Sequence, residues 1–176
     1  MTIGHRHFTI VAVIRAIITH PDRVLRRVAG EVDTITDDVR CLCSDMLETM
    51  AAAHGVGLAA NQVGVCLRVI TLETGSEKES LPVVIINPRI VELEGEDVAE
   101  EGCLSIPGFY EVVKRAQKAI VAGKDTEGRE LKVECAGLLA RAVQHEVEHL
   151  NGILFIDHLS PVKKQLFKRE YGKERK

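Results

Sequence analysis

The sequence contains no tryptophan, and aromatic residues make up only 3% of its 176 residues. It has no apolar run near the roughly 18 residues that a membrane-spanning helix needs. Its net charge of −3 is too small to indicate a nucleic acid or an anionic membrane as a partner. The five cysteines are an odd number, which argues against a secreted disulfide scaffold. These absences predict a cytoplasmic protein that binds neither DNA nor membranes.

Charged residues are distributed unevenly along the chain. Residues 163–176 hold seven basic and two acidic side chains, a net charge of +5. Because the whole chain carries −3, the residues before this segment carry −8. The apolar fraction of 45% is high enough for a folded core and too high for intrinsic disorder. The composition therefore indicates a folded acidic body that ends in a short basic tail.

The hydrophobic pattern predicts one helix before a series of strands and one helix after it. The first helix spans 37–53, is capped by Thr36 or Asp37, and ends before Gly55. The second helix runs over about 137–151. Alternating or β-branched segments between the helices predict strands at 67–72, 83–87, 90–96, 112–113, 118–122 and 131–135. This order predicts an α+β fold in which mainly antiparallel strands pack around the C-terminal helix.

The second predicted helix contains the motif His145-Glu146-Val147-Glu148-His149. Side chains four residues apart lie on the same helical face, so His145 and His149 can bind one metal ion. Glu146 lies beside them, where it can take a proton from a water molecule that the ion activates. Two exposed histidines on a solvated helix would give the same pattern. The motif by itself leaves both interpretations open.

The segment after His149 offers no good third ligand. Gly152 fits the pattern of the metzincin proteases, but Phe155 occupies the position of their third histidine. Other zinc peptidases take a carboxylate from a further helical segment. The acids that remain lie in what resembles a tail: Asp157, Glu170 and Glu174. A ligand downstream of the motif is therefore not expected.

An upstream candidate is Cys103, in the segment Glu101-Gly102-Cys103-Leu104-Ser105. A thiolate is a strong ligand for Zn²⁺ or Fe²⁺. Two histidines and one cysteine would leave the fourth tetrahedral position for water, as in catalytic sites. The alternative is that Cys103 is a buried structural thiol, which is how we interpret the other cysteines: Cys41, Cys43, Cys66 and Cys135.

A third segment reads Gly-Val-Gly-Leu-Ala-Ala-Asn-Gln at 55–62. Two glycines separated by one residue let the backbone approach a ligand closely. The segment lacks the Gly-Lys-Ser/Thr ending of a phosphate-binding loop, and it follows a helix rather than a strand. The Gln62 amide could donate a hydrogen bond to a developing oxyanion. A purely structural turn is the alternative.

In their order and spacing, these three segments together resemble the peptide deformylase family. The resemblance covers about residues 13–165 and includes the segments 14–26 and 154–161. It implies a metal-dependent amide hydrolase that removes the formyl group from the N-terminal formylmethionine of nascent polypeptides and releases formate. Two alternatives are another metallo-amidase or peptidase and a non-catalytic homologue that serves as a binding module.

The resemblance also implies a role for each matching residue. The metal ligands would be Cys103, His145 and His149. The metal in this family is typically Fe²⁺, and Zn²⁺ or Ni²⁺ can substitute for it. Glu146 would act as general base and then as general acid, while Gln62 and the backbone N–H of Leu104 would bind the oxyanion.

The substrate would lie between the glycine segment and the second helix. Residues 138, 142, 145 and 149 share one face of that helix. An apolar pocket for the methionine side chain is therefore predicted at Val56, Leu138 and Ala142, with Gly57 as a further substrate-binding residue. The backbone of 55–58 would align the peptide as an added strand, so residues beyond the first should matter little. Glu148 departs from the family, which usually has Asp there, and we expect it to support a metal ligand with activity retained.

These assignments divide the chain into an N-terminal extension at 1–12, a catalytic metallohydrolase domain at 13–162 and a basic C-terminal tail at 163–176. If the tail is helical, four of its apolar residues are spaced so that they can lie on one face: Val162, Leu166, Phe167 and Tyr171. The substrates emerge from a ribosome whose surface is mostly RNA phosphate, and we expect the basic tail to dock there. A solvated helix that only aids solubility is the alternative.

Overall fold

The computed structural model describes residues 12–74 and 81–171. Predictions that concern 1–11, 75–80 and 172–176 lie outside the described residues. They include nearly all of the N-terminal extension and the last three basic residues of the predicted tail.

Within the described ranges the chain forms helices and antiparallel strands. The α-helices are α1 (Asp37–Ala52), α2 (Leu138–Leu150) and α3 (Pro161–Tyr171). The strands are β1 (Gly57–Ala59), β2 (Val69–Glu73), β3 (Pro82–Glu94), β4 (Asp97–Cys103), β5 (Ile106–Arg115), β6 (Lys118–Lys124) and β7 (Glu130–Ala136). Short 3₁₀ helices lie at Arg23–Arg26, Ala60–Val63 and Phe155–His158. No helix in these ranges is long and apolar enough to cross a membrane.

The strands form two sheets. Five of them pair antiparallel in the order β1-β2-β3-β6-β7, and β4 pairs with β5 as a separate hairpin. Helix α2 packs on the larger sheet, where Val143 and Val147 join Ile70, Ile85 and Val121 in one buried cluster. The predicted α+β class, with antiparallel strands around a C-terminal helix, is confirmed.

Helix α1 begins and ends close to its predicted bounds. Thr36 is the N-cap, and its side chain accepts a hydrogen bond from the backbone N–H of Val39 at 3.4 Å. The helix stops after Ala52, just before His54, whose φ of 53° lies in the left-handed region. Its inner face packs on the sheet through residues such as Met46, which is fully buried.

Strand β3 is continuous where the sequence predicts two separate strands, at 83–87 and 90–96. Asn87 has a φ of 52°, and the register shifts between Ile86 and Arg89, so the strand bends there without ending. Its first part pairs with β2 and its second part with β6. Pairing with β2 before the bend and with β6 after it keeps Asn87, Pro88 and Arg89 within one strand.

The hairpin of β4 and β5 differs most from prediction. The sequence predicts no strand at β4 and only 112–113 within β5, whereas the hairpin pairs residues from Asp97↔Arg115 to Gly102↔Tyr110. Acidic residues and glycine have low intrinsic strand preference, and here the tertiary pairing overrides it. Cys103 consequently lies at the end of a strand rather than in a loop.

The structural cysteines fall into two groups. Cys43 and Cys135 are buried, and burial raises the pKa of both thiols to about 11. Cys41 and Cys66 are partly exposed. The prediction that all four are buried is wrong for these two.

Part of the predicted basic tail forms α3, which packs on the body of the protein. Phe167 is only 5% exposed and shares a cluster with Leu25 and Phe155. Its ring lies 4.7 Å from the ring of Phe109 on β5, centroid to centroid. Val162 and Leu166 are predicted to lie on the same apolar face as Phe167. They are not buried with it, since the two residues are 68% and 40% exposed.

Candidate metal centre

His145 and His149 lie one turn apart on α2, and both are buried. The packing of α2 on the sheet encloses this turn, so the imidazoles face the interior rather than solvent. Their Nε2 atoms are 3.1 Å apart. Burial lowers the pKa of His149 well below its ordinary value, which favours the neutral imidazole that binds metals.

Cys103 reaches the two histidines from the tip of the hairpin. The register of the hairpin shifts between Gly102 and Cys103, at the end of β4. The Cys103 Sγ lies 3.2 Å from the Nε2 of His149. The three possible ligand atoms of Cys103, His145 and His149 all lie within 4.8 Å of one another. One thiolate and two imidazole nitrogens that converge in this way suit a borderline-soft divalent ion.

Glu146 lies beside this group and packs against the backbone of β1. A Cβ atom added to Gly57 would lie 2.5 Å from the Glu146 Oε1, so only glycine leaves room for the carboxyl group. The Oε2 is buried and has no hydrogen-bond partner among the described residues. Burial raises the pKa of the Glu146 carboxyl to about 7. A buried, unpartnered carboxyl group with a pKa in this range is suited to accept and return a proton.

The Gln62 amide is held in one orientation. Its Oε1 accepts a hydrogen bond from the backbone N–H of Ala59 at 2.8 Å. Its Nε2 therefore points the other way, 3.2 Å from the Ser105 Oγ and 3.7 Å from the Cys103 Sγ. Ser105 is fully buried, and its role was not recognised from the sequence. The Gln62 amide donor is thus fixed next to the candidate metal ligands.

Glu101 connects a candidate ligand to two arginines. Its Oε1 lies 2.6 Å from the Nδ1 of His145, and Arg115 and Arg141 both donate to its carboxylate, at distances of 2.7–3.1 Å. Burial alone would raise the pKa of Glu101, but the hydrogen bonds of His145 and Arg115 outweigh burial and hold that pKa well below its usual range. The ionised carboxylate holds the Nδ1 side of His145, so its Nε2 faces Cys103 and His149.

Glu148 contacts no candidate ligand directly. Its Oε1 lies 2.7 Å from the Nη1 of Arg115, and both of its oxygens lie 2.9 Å from the Nε2 of His158. Arg115 in turn binds Glu101, so Glu148 reaches His145 through two intervening side chains.

A cavity of about 440 Å³ opens in front of this group. Nine of the ten site residues predicted from the sequence line this cavity: Val56, Gly57, Gln62, Cys103, Leu104, Leu138, Ala142, His145 and Glu146. The tenth, His149, does not line it but contacts Cys103. Ala142 is 8% exposed and Leu138 is 66% exposed. Ala142 therefore lies deep in the cavity, while Leu138 stands at its rim.

Sequence reasoning missed the residues that support the site. Arg115 and Arg141 match no metal or catalytic motif, and in the sequence Glu101 stands out only as a neighbour of Cys103. The position of Arg141 did hold a signal, because it lies four residues before His145 on the same helical face. The downstream acid Asp157 forms an ion pair with Arg26, consistent with its exclusion as a ligand.

Comparisons with known proteins identify the family of this chain. The family described as Polypeptide deformylase matches residues 14–165. A peptide deformylase of Thermodesulfovibrio yellowstonii is 47% identical over 153 residues, 86% of this chain and 93% of the relative. The crystal structure of a peptide deformylase from Legionella pneumophila is 44% identical, with a TM-score of 0.83 over 93% of this chain and 99% of the other. The enzyme from Ehrlichia chaffeensis in complex with actinonin is 37% identical, with a TM-score of 0.85 over 94% and 99% of the two chains.

Proposed function

The chain belongs to the peptide deformylase family, which removes the formyl group from the N terminus of nascent polypeptides, and we propose that it does so at a metal centre formed by Cys103, His145 and His149. The proposal is carried by the convergence of one thiol and two imidazole nitrogens beside Glu146, whose Oε2 has no partner in the described part of the chain. The structure of the Ehrlichia chaffeensis relative is a complex with actinonin, so a member of this family binds a small ligand.

The reaction is the hydrolysis of an amide bond. A divalent metal, when bound, supplies a Lewis acid that activates water and polarises the formyl carbonyl group. Glu146 takes one proton from the attacking water as the new carbon–oxygen bond forms. The negative charge on the carbonyl oxygen is stabilised by the Gln62 Nε2 and the backbone N–H of Leu104. Glu146 then returns the proton to the amine as the carbon–nitrogen bond breaks, which releases formate and a free N terminus.

The cavity favours a formyl group followed by an apolar side chain. Formyl is the smallest acyl group, and the buried Gln62 and Ser105 leave little space beside Cys103. Ala142 and Val56 offer apolar walls for the methionine side chain. A formyl-Met peptide should therefore be hydrolysed much faster than an acetyl-Met or a formyl-Asp peptide. Comparable turnover of the acetylated peptide would contradict this explanation.

Iron is the metal that we propose, because the resemblance to the family implies Fe²⁺, with Zn²⁺ or Ni²⁺ able to replace it. The test is elemental analysis of protein produced and purified without oxygen, together with deformylation of a formyl-Met peptide. We expect one metal per chain in the wild type and none in Cys103→Ala, since neutral imidazoles alone bind more weakly than a site with a thiolate. Cys41→Ala is the matched control, and it should keep its metal. Stoichiometric metal in Cys103→Ala would overturn the ligand assignment.

We also propose that α3 docks on ribosomal RNA, which would place the enzyme in the cytoplasm where its substrates emerge. Lys164 and Lys168 lie four residues apart and so share one face of the helix. Lys163 forms an ion pair with Glu111 at 2.7 Å and is thus engaged within the protein. The phosphate contacts would come chiefly from Lys164 and Lys168.

Charge substitutions test this docking better than truncation does, because removal of α3 would also remove the buried Phe167. We expect Lys164→Gln/Lys168→Gln to weaken co-sedimentation with ribosomes at low salt and to reduce its salt dependence. Turnover of a short formyl peptide should stay within a few-fold. Lys114→Gln/Lys118→Gln is the matched control, since both lysines are exposed and belong to β5 and β6 rather than to α3. Equal ribosome binding by both double variants would favour the solvated-helix interpretation.

A further inference from the structure

The metal ligands come from two parts of the molecule that are joined mainly by side chains. Cys103 belongs to the β4–β5 hairpin, which hydrogen-bonds as its own two-stranded sheet in the described part of the chain. His145 and His149 belong to α2. Apolar packing of Ile106 and Val113 buries the inner side of the hairpin. Apolar contacts have no direction, however, so they do not fix the distance between the thiol and the imidazoles.

One polar face of α2 makes the directional contacts to the hairpin. Arg141, Gln144, His145 and Glu148 follow the spacing of a single helical face. Arg141 is only 4% exposed. Its Nη1 donates to the Glu101 Oε2 at 3.0 Å and to the Val113 carbonyl oxygen at 2.9 Å. Its Nη2 donates to the Asp97 carboxylate at 2.8 Å and to the Asp97 carbonyl oxygen at 3.2 Å. Arg141 therefore holds both strands of the hairpin at once.

Gln144 holds the end of the hairpin. Its Oε1 accepts a hydrogen bond from the backbone N–H of Ala116, and its Nε2 donates to the Ala116 carbonyl oxygen, both at 3.0 Å. Ala116 directly follows β5. The amide thus replaces the partners that a neighbouring strand would offer to this residue.

We propose that Arg141 and Gln144 are positioning residues that hold the hairpin against α2, so that the Cys103 thiol meets the two imidazoles. A buried ion pair adds little net stability, because desolvation of the charges offsets their attraction. The contacts of Arg141 are better explained by the position that they impose. Neither residue is a metal ligand, and their effect on the metal is exerted through Cys103 and Glu101. The inference rests on the proposed ligand set.

Cobalt binding measures this effect directly. Co²⁺ coordinated by a thiolate absorbs in the near ultraviolet, so a titration of metal-free protein reports both affinity and thiolate coordination without substrate. We expect Arg141→Met and Gln144→Met to bind Co²⁺ about 10–100-fold more weakly, with a weaker thiolate band. Arg141→Lys, which keeps the charge and one donor, should recover part of the affinity. Arg129→Met is the control, because Arg129 is exposed and pairs with Asp125 in a turn. The Co²⁺ affinity and the thiolate band of Arg129→Met should match those of the wild type.

The outcomes separate this inference from the proposed function. A wild-type protein with no thiolate band would overturn the ligand assignment and the inference with it. A wild-type band that Arg141→Met and Gln144→Met reproduce, with unchanged affinity, would overturn the inference alone. If Arg141→Met does not fold, Gln144→Met decides by the same criterion. A variant that is less stable to heat but binds Co²⁺ like the wild type would likewise show a merely structural role and overturn the inference.

Discussion

Helices α1 and α2 are both apparent in the sequence, yet they bury different kinds of side chain. The buried face of α1 is mainly apolar, with Leu42, Met46 and Met50 against the sheet. Helix α2 buries charged and polar residues over most of its length: Arg141, Gln144, His145, Glu146 and His149. Burial of such groups costs free energy unless each has a partner. On α2, Arg141 and Gln144 find their partners at the hairpin, whereas Glu146 faces the cavity.

The difference shows how to distinguish a structural helix from a functional one. The buried Asp45 of α1 has its partners in the chain, since it pairs with Arg15 and accepts the backbone N–H of Val13. By contrast, α2 leaves Glu146 Oε2 without a partner among the described residues. Buried groups whose pKa is strongly perturbed cluster at functional sites, and burial raises the pKa of Glu146 to about 7. Changes on α2 should therefore affect turnover, and changes on α1 should affect stability.

The largest loss of turnover is expected when Glu146 is replaced. Glu146→Gln keeps the shape of the side chain but cannot take a proton, so turnover of a formyl-Met peptide should fall by about 10²–10⁴-fold. The bound metal should remain at one per chain by elemental analysis, because Glu146 is not a ligand in our assignment. Loss of the metal in this variant would contradict that assignment.

A smaller loss of turnover is expected when Glu146 is displaced rather than replaced. In Gly57→Ala the new Cβ would lie 2.5 Å from the Glu146 Oε1, so the carboxyl group must move. A misplacement of this size can cost about 10²-fold in rate. In the control, Gly30→Ala, the nearest atom is a carbonyl oxygen at 3.9 Å, and kcat should be unchanged. Equal kcat in both variants would show that the position of Glu146 is not critical.

On α1 the expected change is in stability. Met46→Ala removes a fully buried side chain from the core and should lower the free energy of unfolding by about 2–5 kcal/mol. Metal content and turnover per folded molecule should match the wild type, as measured by elemental analysis and active-site titration below the melting temperature. A specific loss of metal would remove the distinction between the two helices.

The smallest effect is expected at the outer end of the polar face of α2. Glu148→Asp restores the residue that the family usually has, and we expect turnover close to that of the wild type. The shorter side chain should weaken the contact with either Arg115 or His158, which a small decrease in thermal stability would report. A large decrease in metal content would show that Glu148 is tightly coupled to His145.

Local patterns were sufficient for much of the fold. The Thr36 cap and the apolar spacing of α1 depend on neighbours within one or two helical turns, and both predict that helix. The hairpin strand β4 was missed because its residues have weak strand preference and its pairing partner lies beyond a tight turn. Leu166 is predicted on the same apolar helical face as Phe167, yet Phe167 is buried and Leu166 is exposed, because periodicity does not tell which part of that face meets the core.

The sequence by itself determined the family, because three of its segments match the family in order and spacing, and it predicted which side chains react: Cys103, His145, Glu146 and His149. Only the tertiary structure decided how these groups are held. Arg115, Arg141 and Glu101 come from a strand, a helix and another strand, and no local pattern joins them. Their meeting depends on the packing of the hairpin against α2. The identity of a ligand is a property of one residue, whereas its orientation is a property of everything that surrounds it.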